Sequence, residues 1–380
     1  MNTYNFFSAV SSMTYRRVIK PVLFCMKPDT VHVLAIRVGN FMQRTRFPLG
    51  VIRLLWSYSN PARLGQQVEG LYVKNPVGLS AGFDKNVEIP AVMSAIGFGF
   101  MEGGTITNMP YAGNPRPWFH RLPHSESLVV HAGLANEGVD RIIARVKSMP
   151  QRIYKDFPLN VSIAQTNVQH HQSDDDMIHD YLEALKKIKQ SGIAQMITLN
   201  ISCPNTHNGE VFTKPAMLER LLIDVDELKL TQPIFLKMPC DLDWRDFDAL
   251  LATAARHGIA GVTISNLTKD RRDVSTADTL PASVKGGLSG KLVFQKSNQL
   301  IAKTYEKYGT RFTIIGVGGV SSAQDAYVKM RLGASLVEMI TGLIYQGPQV
   351  VGDINRGLVE LLDRDGFDSI ADIIGIDTKR

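Results

Sequence analysis

From about residue 75 the chain alternates short apolar runs with longer amphipathic stretches. Eight runs recur, at 77–81, 98–103, 159–163, 196–201, 234–238, 261–265, 312–317 and 336–340. Each ends in small or polar residues and leads into a helix-like stretch, such as "DYLEALKKIKQSG" or "FDALLATAARHG". Gly192 and Gly258 close those two stretches and have the position of helix C-caps. Strand alternating with helix predicts a parallel sheet. Eight repeats predict a closed α/β fold, the (β/α)8 TIM barrel, with its working residues at the C-terminal ends of the strands. On pattern alone a doubly wound open sheet is the alternative. The connectors at 104–140 and 267–290 are long for such a fold, which suggests binding loops or lids.

Residues 1–65 follow another pattern. The stretch "FFSAVSSMTYRRVIKPVLFCMKPDTVHVLAIRVGNFMQ" mixes apolar and basic residues at roughly helical spacing. Asp29 and Thr30 are placed to cap a helix starting near Val31, with Val31, Leu34, Ala35 and Val38 as its apolar stripe. A basic amphipathic helix lies on a membrane surface, or packs as an arm on the main domain; the pattern suits both. The division expected is a helical, membrane-associated arm at 1–65 and a barrel at 66–380. No apolar run reaches the roughly 18 residues that a membrane-crossing helix needs. Arg16, Arg17 and Lys20 follow the Phe6–Phe7 patch, the reverse of signal-peptide order.

The net charge of +6 and pI of about 9.1 favour an anionic substrate, a phosphate or an acidic membrane surface, and are equally met by a solvated face. No nucleic-acid partner is expected. Cys25, Cys203 and Cys240 are odd in number and far apart, which argues for a reducing compartment. "HHQSDDD" at 170–176 has metal-ligand residue types but reads as a solvated loop, so no metal is expected. There is no P-loop and no nucleophile–histidine pair at readable spacing.

In order, the eight strand ends carry "SAGFDK", "GGTIT", "IAQTN", "ISCPNT", "LKMP", "ISNLT", "GVGG" and "MITG". Small residues dominate, joined by two lysines, one thiol and several amides. Glycines let backbone N–H groups approach a ligand closely, and a phosphate site after strands 7 and 8 recurs in such barrels. "GVGG" at 316–319 and Thr341–Gly342 fit that role. A neutral, amide-rich pocket with one thiol and lysines suits a flavin, which does the redox chemistry while the protein positions it and moves one proton.

These segments also carry a resemblance. "NPVGLSAGFDKN", "NPRPWFHRLP", "NISCPNT", "GGLSGK" and "IIGVGGVSSAQDA…GASLVEM" resemble the dihydroorotate dehydrogenases, from about residue 20 onwards. "KPDTVH" and "GFDSIADIIGID" look like the membrane-associated, quinone-using class 2 enzymes. The resemblance implies FMN on the barrel, touching Ala81, Gly82, Thr105, Lys237, Ser265, Ser289 and Gly290, with its phosphate at Gly318, Gly319 and Thr341. Lys237 would face the electron-rich edge of the flavin, where positive charge stabilises the reduced anion. The substrate would lie near Lys85, Asn200, Asn205 and Asn266. Lys85 offers a charge to a carboxylate, and amides pair with a pyrimidine's donors and acceptors.

Cys203 stands where the family has its catalytic base. Serine is usual there in class 2 and cysteine in class 1. It would remove the C5 proton of dihydroorotate as hydride leaves C6 for the flavin, and a nearby positive charge would make the thiol a base close to neutral pH. His32 and Arg121 match positions facing the quinone, and the arm would form its hydrophobic mouth. The implied activity is dihydroorotate oxidation in pyrimidine synthesis, with a quinone as acceptor. The enzyme would be peripheral on the inner face of the cytoplasmic membrane, or cytoplasmic.

The chain also departs from the family pattern. Val130 replaces a substrate-binding asparagine, Leu267 a threonine, Ser162 an asparagine beside the flavin, and Ile340 a tyrosine, while "AQTN" stands for "GKNK". Each buried polar group left unpaired by such a loss costs about 1–3 kcal/mol. Asn136 or His131 would be the compensating contacts. The alternatives are a diverged FMN oxidoreductase acting on a less polar or different dihydropyrimidine-like substrate, and a non-catalytic flavin-binding relative.

Overall fold

The computed structural model describes residues 3–168, 173–207, 209–272 and 278–378. Eight parallel strands close into a barrel: β1 Val77–Leu79, β2 Phe100–Ile106, β3 Leu159–Ile163, β4 Met196–Asn200, β5 Ile234–Lys237, β6 Ile259–Ile264, β7 Thr313–Val317 and β8 Leu336–Met339. They neighbour one another in chain order, and β8 returns to pair with β1. The fold is therefore the (β/α)8 barrel, not the open sheet. Each strand falls within two or three residues of its apolar run. The largest shift is at β2, where "GGTI" stays paired with β3 beyond a bulge.

Side-chain alternation builds the barrel interior in layers. Phe100, Met196, Phe235, Ile315 and Leu336 form an apolar floor, on which Val68 and Val73 of the hairpin Gln66–Val68/Leu71–Val73 pack. Two residues further along four of these strands the interior turns polar, with Glu102, Thr198, Lys237 and Glu338 all buried. The C-terminal strand ends lie above that polar layer.

The two long connectors are partly strands. Phe119–Leu122 and Ser127–Val130 form a hairpin, and Gly287–Gly290 adds to it, pairing Gly287 with Val130. This three-stranded antiparallel sheet roofs the barrel mouth.

The arm starts as a helix, Thr3–Thr14, that runs through a π turn at Tyr15–Ile19 into Lys20–Cys25. Helices Pro28–Met42, Arg46–Trp56 and Pro61–Leu64 follow. The Pro28–Met42 helix begins three residues before the expected start. Pro28 sets its first turn, since a proline needs no N–H partner there. Asp29 does not cap it. Its carboxylate instead accepts the N–H groups of Trp118 (3.1 Å) and Phe119 (3.4 Å), tying the arm to the roof.

Of the two expected C-caps, Gly192 is left-handed (φ 66°) and ends its helix. Gly258 is not a cap: that helix closes at Ala255, and the Gly258 N–H donates to Asp226 at 3.0 Å. Within "HHQSDDD", His170 and His171 lie outside the described residues. Ser173 caps the next helix, and Asp174, Asp175 and Asp176 form its first turn, where carboxylates complement the helix dipole. Among the described residues no group of three His, Cys, Asp or Glu side chains is placed to hold a metal.

Candidate active site

A cavity of about 480 Å³ lies between the barrel mouth, the roof and helix Pro28–Met42. Its size suits a cofactor with a small substrate. Apart from Asn136 and His131, every residue assigned above to substrate, cofactor, base or quinone lines it. Chain order becomes a ring here because each barrel strand delivers its last residues to the same end.

The wall after β7 is backbone. Gly318 (φ 115°) and Gly319 (φ 77°) take left-handed conformations that favour glycine, and a Cβ on Gly319 would meet Phe294 Cβ at 2.6 Å, so the turn packs tightly behind the cavity. Gly290 (φ 91°) on the roof and a hydroxyl pair, Ser289 with Thr341 at 2.9 Å, stand beside them. After β1, Gly82 (φ 108°) has no atom nearer its absent Cβ than the Ile340 Cδ1, at 3.8 Å. A side chain there would take up cavity space. Bare backbone on two sides, hydroxyls at one end and a buried lysine fit a flat, phosphate-bearing flavin.

The amides are held in place. Asn200 Nδ2 donates to Thr105 Oγ1 (2.8 Å), which also meets Ser162 Oγ (3.0 Å). Asn266 Nδ2 donates to the Ser202 carbonyl (2.8 Å) and reaches Asn200 Oδ1 (3.2 Å). Asn205 Nδ2 donates to the Val130 carbonyl at 3.0 Å, and its own carbonyl accepts from Asn114 at 2.9 Å. Position 130 therefore keeps a backbone link to the clamp although it lacks an amide of its own.

Cys203 follows β4 between Asn200 and Asn205 and keeps some accessible area toward the cavity. Burial pushes its thiol up to about 11, helped by Glu210 and opposed by Lys237 and Lys269. The expectation of a base close to neutral pH is thus not met: the lysines pull the right way, but desolvation outweighs them. Burial also brings Lys85 down to about 8. Its ammonium donates to the Gly82 carbonyl (2.7 Å) and meets His32 Nε2 (3.2 Å) beside the rings of Trp118 and Phe119. His32 is held near 3 by burial, then by the charges of Lys85 and Arg116, so its neutral ring accepts from the lysine. Arg121 donates to the carbonyls of Phe24 (3.2 Å) and Met26 (2.9 Å) and stacks on the Phe24 ring.

A family model described as dihydroorotate dehydrogenase matches residues 63–362. The chain belongs to the dihydroorotate dehydrogenase family. Curated relatives named dihydroorotate dehydrogenase (quinone) include one from Deinococcus deserti, 35% identical, with 96% of this chain and 99% of that one covered. Another, from Brucella anthropi, is 37% identical, covering 84% and 87%. The crystal structure of DHODH from Eimeria tenella in complex with ferulenol superposes with a TM-score of 0.82 at 25% identity, over 94% of this chain and 99% of that one. The family is one of flavin-dependent oxidoreductases, and this chain is one of them.

The departures from the family pattern do not all reach the cavity. Val130, Leu267 and Ile340 line it; Ser162 lies behind Thr105. The expected compensation is absent. Asn136 spends its side chain on Thr107, Leu134 and Gly138, and neither it nor His131 lines the cavity. Sequence reasoning missed Glu338, which lines the cavity from β8, and Glu102, which pairs with Lys237 at 3.5 Å. The available signal was an acid inside each of two otherwise apolar strands.

Proposed function

We propose that the protein oxidises dihydroorotate to orotate with bound FMN and passes the electrons to a quinone. One observation carries this reading: Cys203, Lys85 and the three amides converge on the same cavity as the glycine turn of β7. Ala81, Gly82, Thr105, Lys237, Ser265, Ser289 and Gly290 would hold the flavin, with Gly318, Gly319 and Thr341 at its phosphate. Bound FMN supplies hydride acceptance and electron transfer. The Lys85 ammonium pairs with the substrate carboxylate, and Asn200, Asn205 and Asn266 orient the ring. Cys203, as thiolate, takes the C5 proton. The roof and the arm limit access of water.

The quinone would enter between the arm helices, past His32 and Arg121. The arm, 1–65, presents exposed Phe41 (70%), Phe47 (81%) and Leu54 (66%) beside basic residues, which supports docking on an anionic membrane surface. No helix among the described residues is long and apolar enough to cross a membrane. A peripheral place on the inner face of the cytoplasmic membrane follows from this reading.

A second reading rests on Val130, Leu267 and Ile340. Three apolar side chains in the substrate wall suit a less polar substrate for the same flavin chemistry. Anaerobic mixing of the FMN-loaded protein with dihydroorotate separates the two. Bleaching of the flavin absorbance supports the first reading. A flavin that stays oxidised at millimolar dihydroorotate would overturn it in favour of the second.

A further inference from the structure

Beneath the cavity two carboxyl groups share one ammonium. Glu102 on β2 and Glu338 on β8 are both 0% exposed, and Lys237 on β5 is 5% exposed. Lys237 Nζ lies 3.5 Å from Glu102 Oε2. The Glu338 carboxyl is within hydrogen-bonding reach of Glu102. Ser80 stands near it, yet none of the four carboxyl oxygens is satisfied by a protein hydrogen bond. Glu102 and Lys237 are the charged groups that face Glu338 from the strands packed around it. Both Glu338 and Lys237 also line the cavity.

Two carboxylates this close, out of water, cannot both ionise cheaply. One lysine offsets one negative charge, and a proton on the second acid removes the repulsion and creates a donor between the two oxygens.

We propose that Glu338 carries a proton against the neighbouring Glu102 in the resting protein, and that loss of this proton weakens the pull of Lys237 on the flavin edge. This rests on the flavin-binding reading above. Glu338 is a positioning residue here: it acts through Lys237 and takes no proton from the substrate. Burial and the neighbouring Glu102 push Glu338 well above the usual carboxylate range. While it is held, the three side chains sum to zero charge. Once it leaves they sum to one negative, which disfavours electron density on a reduced flavin. The flavin potential should then fall with an additional downward bend as pH rises.

The test uses the full-length, FMN-loaded protein and two readouts. Spectroelectrochemical titration gives the flavin midpoint potential from acid to alkaline pH, for the wild type, Glu338→Gln and the double variant Glu102→Gln/Glu338→Gln. Glu338→Gln should match the wild type at acid pH and lose the alkaline bend. The double variant leaves Lys237 without a counter-charge and should lie above the wild type throughout. Infrared spectroscopy of the flavin-free protein should show a protonated carboxyl stretch at neutral pH that Glu338→Gln lacks. A Glu338→Gln potential curve identical to the wild type, or no such infrared band, would overturn the proposal. Failure to bind FMN is seen directly in the absorbance spectrum and counts against the flavin reading instead; the infrared measurement still decides on the proton.

Discussion

At the scale of single residues, Cys203 and Lys85 make opposite demands on pH. The base must lose a proton from a thiol raised to about 11, while the lysine must keep one that burial releases near 8. The reactive fraction is the product of the two. Below about pH 8 Lys85 is charged and only the thiolate fraction grows, so kcat/KM should rise about tenfold per unit. Between about 8 and 11 the growing thiolate is cancelled by the shrinking ammonium, and kcat/KM should level off. Saturating substrate pins the Lys85 charge against its carboxylate, so kcat should keep rising beyond the bend. In Lys85→Gln the bend near 8 should vanish at a much lower kcat/KM. A bend that persists in that variant would assign it to another group. Cys203→Ala should slow anaerobic flavin reduction by about 10²- to 10⁴-fold with flavin still bound, the usual worth of a positioned general base. Wild-type rates in Cys203→Ala would exclude the thiol as base.

Elements divide by how their order is produced. The barrel strands are legible along the chain because both faces are buried, which leaves near-continuous apolar runs. The roof is not. Phe119–Leu122 and Ser127–Val130 are short and half polar, and their partner Gly287–Gly290 lies far along the chain, so no local pattern announces the pairing. Helix ends fail for a similar reason: Asp29 has a cap's position, but two roof N–H groups take its carboxylate. The arm stripe is legible in part, since Val31, Ala35 and Val38 line the cavity, although Leu34 (42% exposed) and Val38 (46%) also meet solvent. The outer side of the arm carries a prediction of its own. Phe41 and Phe47 are exposed, and burying a phenylalanine in an apolar phase contributes about 1.5–3 kcal/mol. Phe41→Ser/Phe47→Ser should therefore weaken partitioning onto anionic liposomes by roughly a hundredfold or more, with dihydroorotate-dependent flavin reduction unchanged. Equal liposome binding by the two proteins in sedimentation would remove the arm from the membrane contact.

For the molecule as a whole, the candidate site was legible where strand ends carry it, because the barrel turns chain order into a ring. It was not legible where two strands contribute one acid each, as at Glu102 and Glu338, since only closure of the barrel brings them together. Lys329 is a similar case, packed behind the glycine turn of β7 and costly to the fold. It is 0% exposed, and among the described residues its ammonium donates to neutral groups, Ser297 Oγ at 3.0 Å and Asn298 Oδ1 at 2.8 Å, beside the Phe294 ring. Burial brings it down from 10.5 to about 7, with Asp325 and Cys240 opposing. The sign follows from linkage: between these values the unfolded chain binds a proton that the folded chain does not. The cost is complete below about 7 and disappears as pH rises toward 10.5. Lys329 by itself should thus raise the unfolding free energy of the flavin-free protein with pH across that window, by about 1.4 kcal/mol for each pH unit crossed. Lys85 and Lys74, both near 8, add to the rise only above that value, while the raised carboxyls of Glu210, near 7, and Glu338 oppose it. Comparison with a Lys329 variant isolates its share, because the other contributions are common to both proteins. Lys329→Met should therefore show a slope of urea-derived stability in the interval between 7 and 8 that is smaller than the wild type's by up to about 1.4 kcal/mol per pH unit, whatever it loses at Asn298. A slope in that interval equal to the wild type would show that Lys329 stays charged in the folded protein.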